Sequence, residues 1–115
     1  MHEFGIANSI LDAVRTEAQL RPDVMVRKVG LRLGEAAGVD PDSLGFCFDA
    51  LVQGTDLDPL TLEIEMAPLR HECPRCRREF TVNDFDFSCP TCGDARTVRK
   101  GGFELDLAYM EVEES

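Results

Sequence analysis

Positive charge is scarce in this sequence: 12 Lys and Arg stand against 22 Asp and Glu, for a formal charge of −10. Such a field repels nucleic acid and anionic membrane, and it favours cations and basic partner surfaces. No apolar run approaches the length that spans a bilayer. The first residues lack a basic flank, an apolar stretch and a small-residue cleavage site, so no secretory signal is expected and the cytoplasm is the expected compartment. There is no Ser/His/Asp set, no phosphate-cradling glycine loop and no cofactor fingerprint. An enzyme is therefore not expected. Internal repeats and low-complexity stretches are also missing.

What remains is 115 residues, 43% of them apolar, which suits one compact domain with a modest core. The charge is uneven. Residues 70–100 hold seven Lys and Arg against five acids, and the rest holds five against 17. Four of the five cysteines lie in that segment. It reads as a separate module, stapled by metal rather than by apolar burial.

Hydrophobic periodicity outlines the body. Ile6, Ile10, Val14 and Ala18, with Ala13 beside them, predict an amphipathic helix over 3–20 that Pro22 stops. Val29, Leu31 and Leu33 alternate in a strand over 24–33. Val24 and Val26 run in the opposite phase, which predicts a bulge or bend near Arg27. Asp40 as N-cap and Pro41 as first residue open a second helix, with Leu44, Cys47, Phe48 and Leu51 inward and Gly54 past its end. Leu60, Leu62, Ile64 and Met66 mark a strand over 60–66, wet on its other face. Phe103, Leu105, Leu107 and Tyr109 mark another over 103–112. The expected fold is thus α/β (α+β): a small two-layer domain with a three-stranded sheet and two helices, plus an inserted zinc-ribbon module. Its expected division is 1–69 with 99–115 as the body and 70–98 as the module.

The module carries the strongest signal. Cys73-Pro74-Arg75-Cys76 is followed, twelve residues on, by Cys89-Pro90-Thr91-Cys92-Gly93. Each CxxC turns two thiolates toward one point, and two such knuckles close the tetrahedron that Zn²⁺ accepts. Gly93 permits the sharp turn after the second pair. Phe80, Val82, Phe85 and Phe87 are expected to form the core of a short hairpin between the pairs. Disulfides do not fit a chain with no export signal, and a thioredoxin-like CxxC is single. Four protein sulfurs leave no open position for a catalytic water, so Zn(II) here is structural. Arg75, Arg77 and Arg78 either temper the cluster's charge or are solvated surface. His71 reads as surface, and Cys47 as a small buried hydrophobe.

Met1-His2-Glu3 offers a second metal site. The α-amine of Met1, the imidazole and backbone nitrogen of His2, and the backbone nitrogen of Glu3 are four neighbouring nitrogens, a set that suits Ni²⁺ or Cu²⁺. The bulk of His2 argues against trimming of Met1. Glu3 takes part through its backbone nitrogen alone or through its carboxylate as well.

A chain that opens Met1-His2-Glu3, runs into an amphipathic helix and carries two CxxC pairs before a closing strand resembles the HypA family. Ser43-Leu44-Gly45-Phe46, Gly54-Thr55, Leu62-Glu63-Ile64-Glu65, Cys89 to Gly93, and the ending from Glu104-Leu105 to Glu111-Val112-Glu113 add to the likeness. The resemblance implies a nickel metallochaperone: Ni(II) is the transferred cargo, anchored by His2 with Glu3 as its neighbour, and Zn(II) is held by Cys73, Cys76, Cys89 and Cys92. It implies as partners the nickel-binding GTPase HypB and the large subunit of a [NiFe]-hydrogenase, and for some relatives the urease maturation proteins. Asp94, Ala95 and Arg96 after the second pair include no histidine, so any nickel ligand that relatives recruit there is missing. The alternative reading is a zinc-ribbon protein-interaction module with no nickel role.

Overall fold

The computed structural model describes residues 2–114. Met1, one of the expected nickel ligands, lies outside the described residues, as does Ser115. The elements in order are α1 (Glu3–Leu20), β1 (Val24–Gly34), α2 (Pro41–Val52), β2 (Thr61–Ala67), β3 (Arg70–Cys73), β4 (Arg78–Thr81), β5 (Val98–Gly101) and β6 (Leu105–Glu114). They build two three-stranded sheets, ordered β2-β1-β6 and β4-β3-β5. The first, covered by the two helices, is the expected α/β layer pair. The second belongs to the cysteine module.

β1 is the central strand of the body. It pairs parallel with β2, with α2 as the crossover, and antiparallel with β6. Its register slips between Val26 and Lys28, so the bulge expected near Arg27 is present. The slip brings Val24 and Val26 onto the face of Val29, Leu31 and Leu33, and all five are buried. Phe48 and Leu44 from α2 and Val14 and Ala7 from α1 complete the core with no exposed surface. Burying one such large side chain contributes about 1.5–3 kcal/mol, so this layer holds most of the chain's apolar stabilisation. The Asp40 carboxylate caps α2 by accepting the Asp42 N–H at 3.0 Å, with Pro41 as the first helical residue.

Four expectations need correction. The buried stripe of α1 is Ala7, Ile10, Leu11 and Val14 rather than the row through Ile6 and Ala18, because a 3.6-residue turn drifts off an i+4 row. Met66 is 45% exposed because β2 is an edge strand, with no neighbour on its far side among the described residues. β6 starts at Leu105, without Phe103, and has a second bulge at Ala108: Leu31 pairs with Leu107 but Gly30 pairs with Tyr109. Tyr109 is thereby turned to the face away from the helices, over Gly30, where a Cβ would lie 2.0 Å from its ring. Met110 takes its place toward the core. Finally, Phe80, Val82, Phe85 and Phe87 do not form a hairpin core. β4 pairs with β3 instead, and Asp84 and Phe85 take left-handed backbone in the turn after it. Phe85 is left 80% exposed, and only Val82 of the four is buried.

The two sheets meet at a glycine junction. Gly34 donates to the Glu104 carbonyl at 2.7 Å and Ala36 to the Gly102 carbonyl at 2.8 Å. A Cβ on Gly34 would stand 2.2 Å from that same Gly102 oxygen. Gly102 itself has φ 115 and presses on the Leu69 backbone. Arg70 ties the lobes electrostatically, reaching Glu79 at 3.4 Å and Glu104 at 3.6 Å.

Candidate metal centres

The two CxxC segments form matching knuckles. In the first, Arg77 N–H donates to the Cys73 carbonyl at 2.7 Å; in the second, Gly93 N–H donates to the Cys89 carbonyl at 2.8 Å. Each closing residue is left-handed, with φ 57 at Arg77 and φ 76 at Gly93. Gly93 announces this turn in the sequence, whereas Arg77 does not. Backbone N–H groups point at sulfur in both: Cys76 toward Cys73 Sγ at 3.5 Å and Thr91 toward Cys89 Sγ at 3.4 Å. The Asp94 carbonyl accepts the Cys89 N–H at 2.9 Å and latches the second knuckle.

These turns bring one sulfur from each of Cys73, Cys76, Cys89 and Cys92 within 4.8 Å of one another. Cys73 Sγ and Cys92 Sγ are 3.7 Å apart, and Cys76 Sγ and Cys89 Sγ are 3.9 Å apart. A tetrahedral ion about 2.3 Å from each sulfur separates the sulfurs by about 3.8 Å, so the geometry fits zinc. It does not fit disulfides, which need about 2.05 Å. Cys73 and Cys89 are buried while Cys92 is exposed, so the cluster is seated on one side and faces solvent on the other. Cys89 is drawn down to about 6, chiefly by the Cys92 backbone N–H and also by that of Thr91. Cys76 is pushed up to about 12, first by its hydrogen bond to Cys92 and then by burial. Zinc, when bound, supplies a crosslink between the two knuckles. Arg75, Arg77 and Arg78 are exposed, in line with solvated surface.

His71 stands apart from the sulfurs. Its ring lies 4.8 Å from Phe87. Thr97 gives its hydroxyl proton to the Phe87 carbonyl at 2.6 Å, so His71 Nδ1 is the donor to Thr97 Oγ1 at 2.9 Å. Beside it a cleft of about 840 Å³ opens between the lobes, lined by Phe85, Phe87, Phe103, Arg99 and Glu35. Arg99 lies 4.3 Å over the Phe103 ring. No nucleophile and base converge there among the described residues. Cys47 is half-buried and packs on the core.

At the other end, His2 is the N-cap of α1, and its carbonyl accepts the Ile6 N–H at 3.2 Å. Its side chain makes no capping bond and is exposed, so the imidazole is available to a ligand. Glu3 differs. Its Oε2 accepts the Asp40 backbone N–H at 3.2 Å, which fastens the start of α1 to the start of α2. Periodicity could not reveal that link, since the two residues stand 37 positions apart.

A family model described as "Hydrogenase/urease nickel incorporation, metallochaperone, hypA" matches residues 1–112. The chain is 42% identical to a protein of Streptomyces avermitilis named hydrogenase maturation factor HypA, over 99% of this chain and 88% of that one. It is 37% identical to the protein of that name from Geobacter metallireducens, over 98% of this chain and all of the other. Among solved structures it is similar to the solution structure of the Ni metallochaperone HypA from Helicobacter pylori, with a TM-score of 0.66 and 20% identity across the whole of both chains. A second solution structure, titled HypA protein, gives a TM-score of 0.72 at 20% identity, over 98% of this chain and 97% of the other. At that identity the two structures establish the fold.

Proposed function

Since the chain belongs to the HypA family of hydrogenase/urease nickel-incorporation metallochaperones, we propose that it binds Ni(II) at Met1, His2 and Glu3 and delivers it to the large subunit of a [NiFe]-hydrogenase. The observation that carries this reading is the extent of the family match, which runs from residue 1 to residue 112 and takes in both the N-terminus and the cysteine module. The exposed His2 imidazole, free of a capping bond, supports it.

The two metals have opposite physical requirements in this scheme. Zinc belongs at the four sulfurs of Cys73, Cys76, Cys89 and Cys92, a closed soft shell that retains its ion. Nickel belongs at an open, nitrogen-rich site on the first turn of α1, where a partner can compete for it. Glu3 engages one carboxylate oxygen with the Asp40 N–H, which stiffens the site and leaves its backbone nitrogen and Oε1 as the groups it can offer to nickel. In this reading residues 1–69 and 102–115 act as the nickel-handling body and 70–101 as the zinc lobe, the expected boundary at 98 moving to the end of β5 because β5 pairs with β3. The acidic charge of the body favours a basic partner surface, and by family analogy we take that partner to be a nickel-binding GTPase of the HypB type. Urease maturation proteins are a second destination within the same family description. No helix in the described residues is long and apolar enough to cross a membrane, and we place this exchange in the cytoplasm.

A transfer assay tests the proposal. Chain loaded with radioactive nickel is mixed with HypB, GTP and metal-free hydrogenase large subunit. Label should reach the large subunit faster from this chain than from free nickel, and His2→Ala should abolish the advantage. Transfer no faster from this chain than from free nickel would favour a zinc-ribbon interaction module without a nickel role, and an advantage kept in full by the His2→Ala protein would remove His2 from the site.

A further inference from the structure

The free edge of β6 is the feature that the metal chemistry leaves unused. α1 packs chiefly on β1 and α2 on β2, and α1 borders β6 only along the residues that line the two depressions described below. Among the described residues β6 is also an outer strand, hydrogen-bonded to β1 alone. Its ten residues contain no proline and no Lys or Arg; what tempers the edge is the bulge at Ala108 and the acids Asp106, Glu111 and Glu113, which repel acidic strands and admit basic ones. Leu105, Leu107 and Val112 are 39%, 41% and 38% exposed. They border two depressions on the helix side: one of about 240 Å³ with Ile6 and Ile10, the other of about 310 Å³ with Met110 and Arg21. On the opposite face the same strand presents Asp106, Tyr109, Glu111 and Glu113, by the register that pairs them with Arg32, Gly30, Lys28 and Met25.

This strand is apolar on one face and acidic on the other, and that pattern selects its occupant. A second copy of the chain is disfavoured. Antiparallel self-pairing centred on Ala108-Tyr109 would set Asp106 opposite Glu111 and Glu104 opposite Glu113, and like charges directly opposite each other destabilise a strand pair. We propose that β6 is a docking edge for an extended segment of a partner protein that alternates apolar residues with Lys or Arg. Such a segment adds a fourth strand to the sheet. Its apolar side chains enter the depressions beside Leu105, Leu107 and Val112. Its cations face Asp106, Glu111 and Glu113; Glu113 also holds Arg27 at 2.7 Å and Glu111 lies 3.9 Å from Lys28, while Asp106 forms no ion pair among the described residues.

The test uses the full, zinc-loaded chain labelled with ¹⁵N and three blocked ten-residue peptides. One alternates valine and lysine, the second alternates valine and glutamate, and the third is the valine–lysine peptide N-methylated at alternate residues so that its ladder N–H groups are gone. The valine–lysine peptide should shift the amides of 105–114, and both other peptides should bind at least about tenfold more weakly. The double variant Asp106→Lys, Glu111→Lys changes two exposed side chains. It should weaken the valine–lysine peptide by at least about tenfold while the amide pattern of β1 and β2 stays in place. Equal binding by the N-methylated peptide would reduce the effect to charge adhesion and overturn the proposal. Shifts outside β6, no binding, or sedimentation showing that the chain pairs with itself through β6 would overturn it as well.

Discussion

Replacing Cys73 by serine should loosen one lobe and spare the other. Cys73 is fully buried at the end of β3, with its sulfur 3.7 Å from that of Cys92. Structural zinc in small domains contributes on the order of 10–16 kcal/mol, so one ligand of four is worth about 3 kcal/mol, or about two orders of magnitude in zinc affinity. The serine hydroxyl adds a buried polar group without a designed partner, a further cost of about 1–3 kcal/mol. Cys92 is exposed, so Cys92→Ser incurs only the first term. Cys73→Ser should therefore lose more zinc affinity than Cys92→Ser, by about tenfold, in competition against a chromophoric chelator. Hydrogen exchange should show β3, β4 and β5 losing protection while β1 and β2 keep theirs. The reason is that, of the side chains between the two CxxC pairs, Val82 is the buried apolar one, whereas the body has Phe48, Leu44, Leu33 and Val29. Equal zinc affinity in the two variants would refute the burial argument. Loss of protection in both sheets together would refute the independence of the body.

Three further outcomes are expected. Gly34→Val should destabilise the chain by more than about 2 kcal/mol in denaturant titration, because its Cβ meets the Gly102 carbonyl at 2.2 Å and backbone cannot give way as a side chain can; an unchanged midpoint would contradict the close approach. Glu104 is held below the ordinary carboxylate range, first by its own backbone N–H and then by that of Gly102. Its folded value is depressed, so the stability it contributes is present above the unfolded value and is lost as pH falls through the folded one. Glu104→Gln should accordingly be less stable than the parent at pH 7, with the gap closing toward acid, as followed by thermal melts across pH. Gly30→Val should displace the Tyr109 ring, break its hydrogen bond to Glu63 and quench the protection of the β1–β6 pair in exchange experiments; an undisturbed Tyr109 signal would count against the face assignment.

The metal lobe was legible because its signal is a spacing. Two CxxC pairs specify a four-sulfur cluster whatever strands surround them. The strands themselves were not legible: β3 and β5 are four residues each, and Arg70-His71-Glu72-Cys73 has no apolar alternation to read. In the body, the bulge at Arg27 could be read because it flips the phase of valines. The bulge at Ala108 could not, because Leu105, Leu107 and Tyr109 alternate in sequence even though the fold breaks their phase. Asp40-Pro41 announced α2, since N-cap chemistry is local. The Glu3 link to Asp40 and the Gly34 contact with Gly102 are long-range and left no local trace.

Nickel calorimetry on three zinc-loaded proteins tests the central claim most directly: chain beginning at Met1, the same chain with extra residues before Met1, and His2→Ala. An added residue converts the Met1 amine into an amide and removes a nitrogen donor, and His2→Ala removes the imidazole. The amine and imidazole bind only after shedding their protons, so nickel affinity of the first protein should also fall on acidification. The account expects tight nickel binding by the first protein alone, with zinc content and circular dichroism the same in all three. Equal nickel affinity in the three would contradict it.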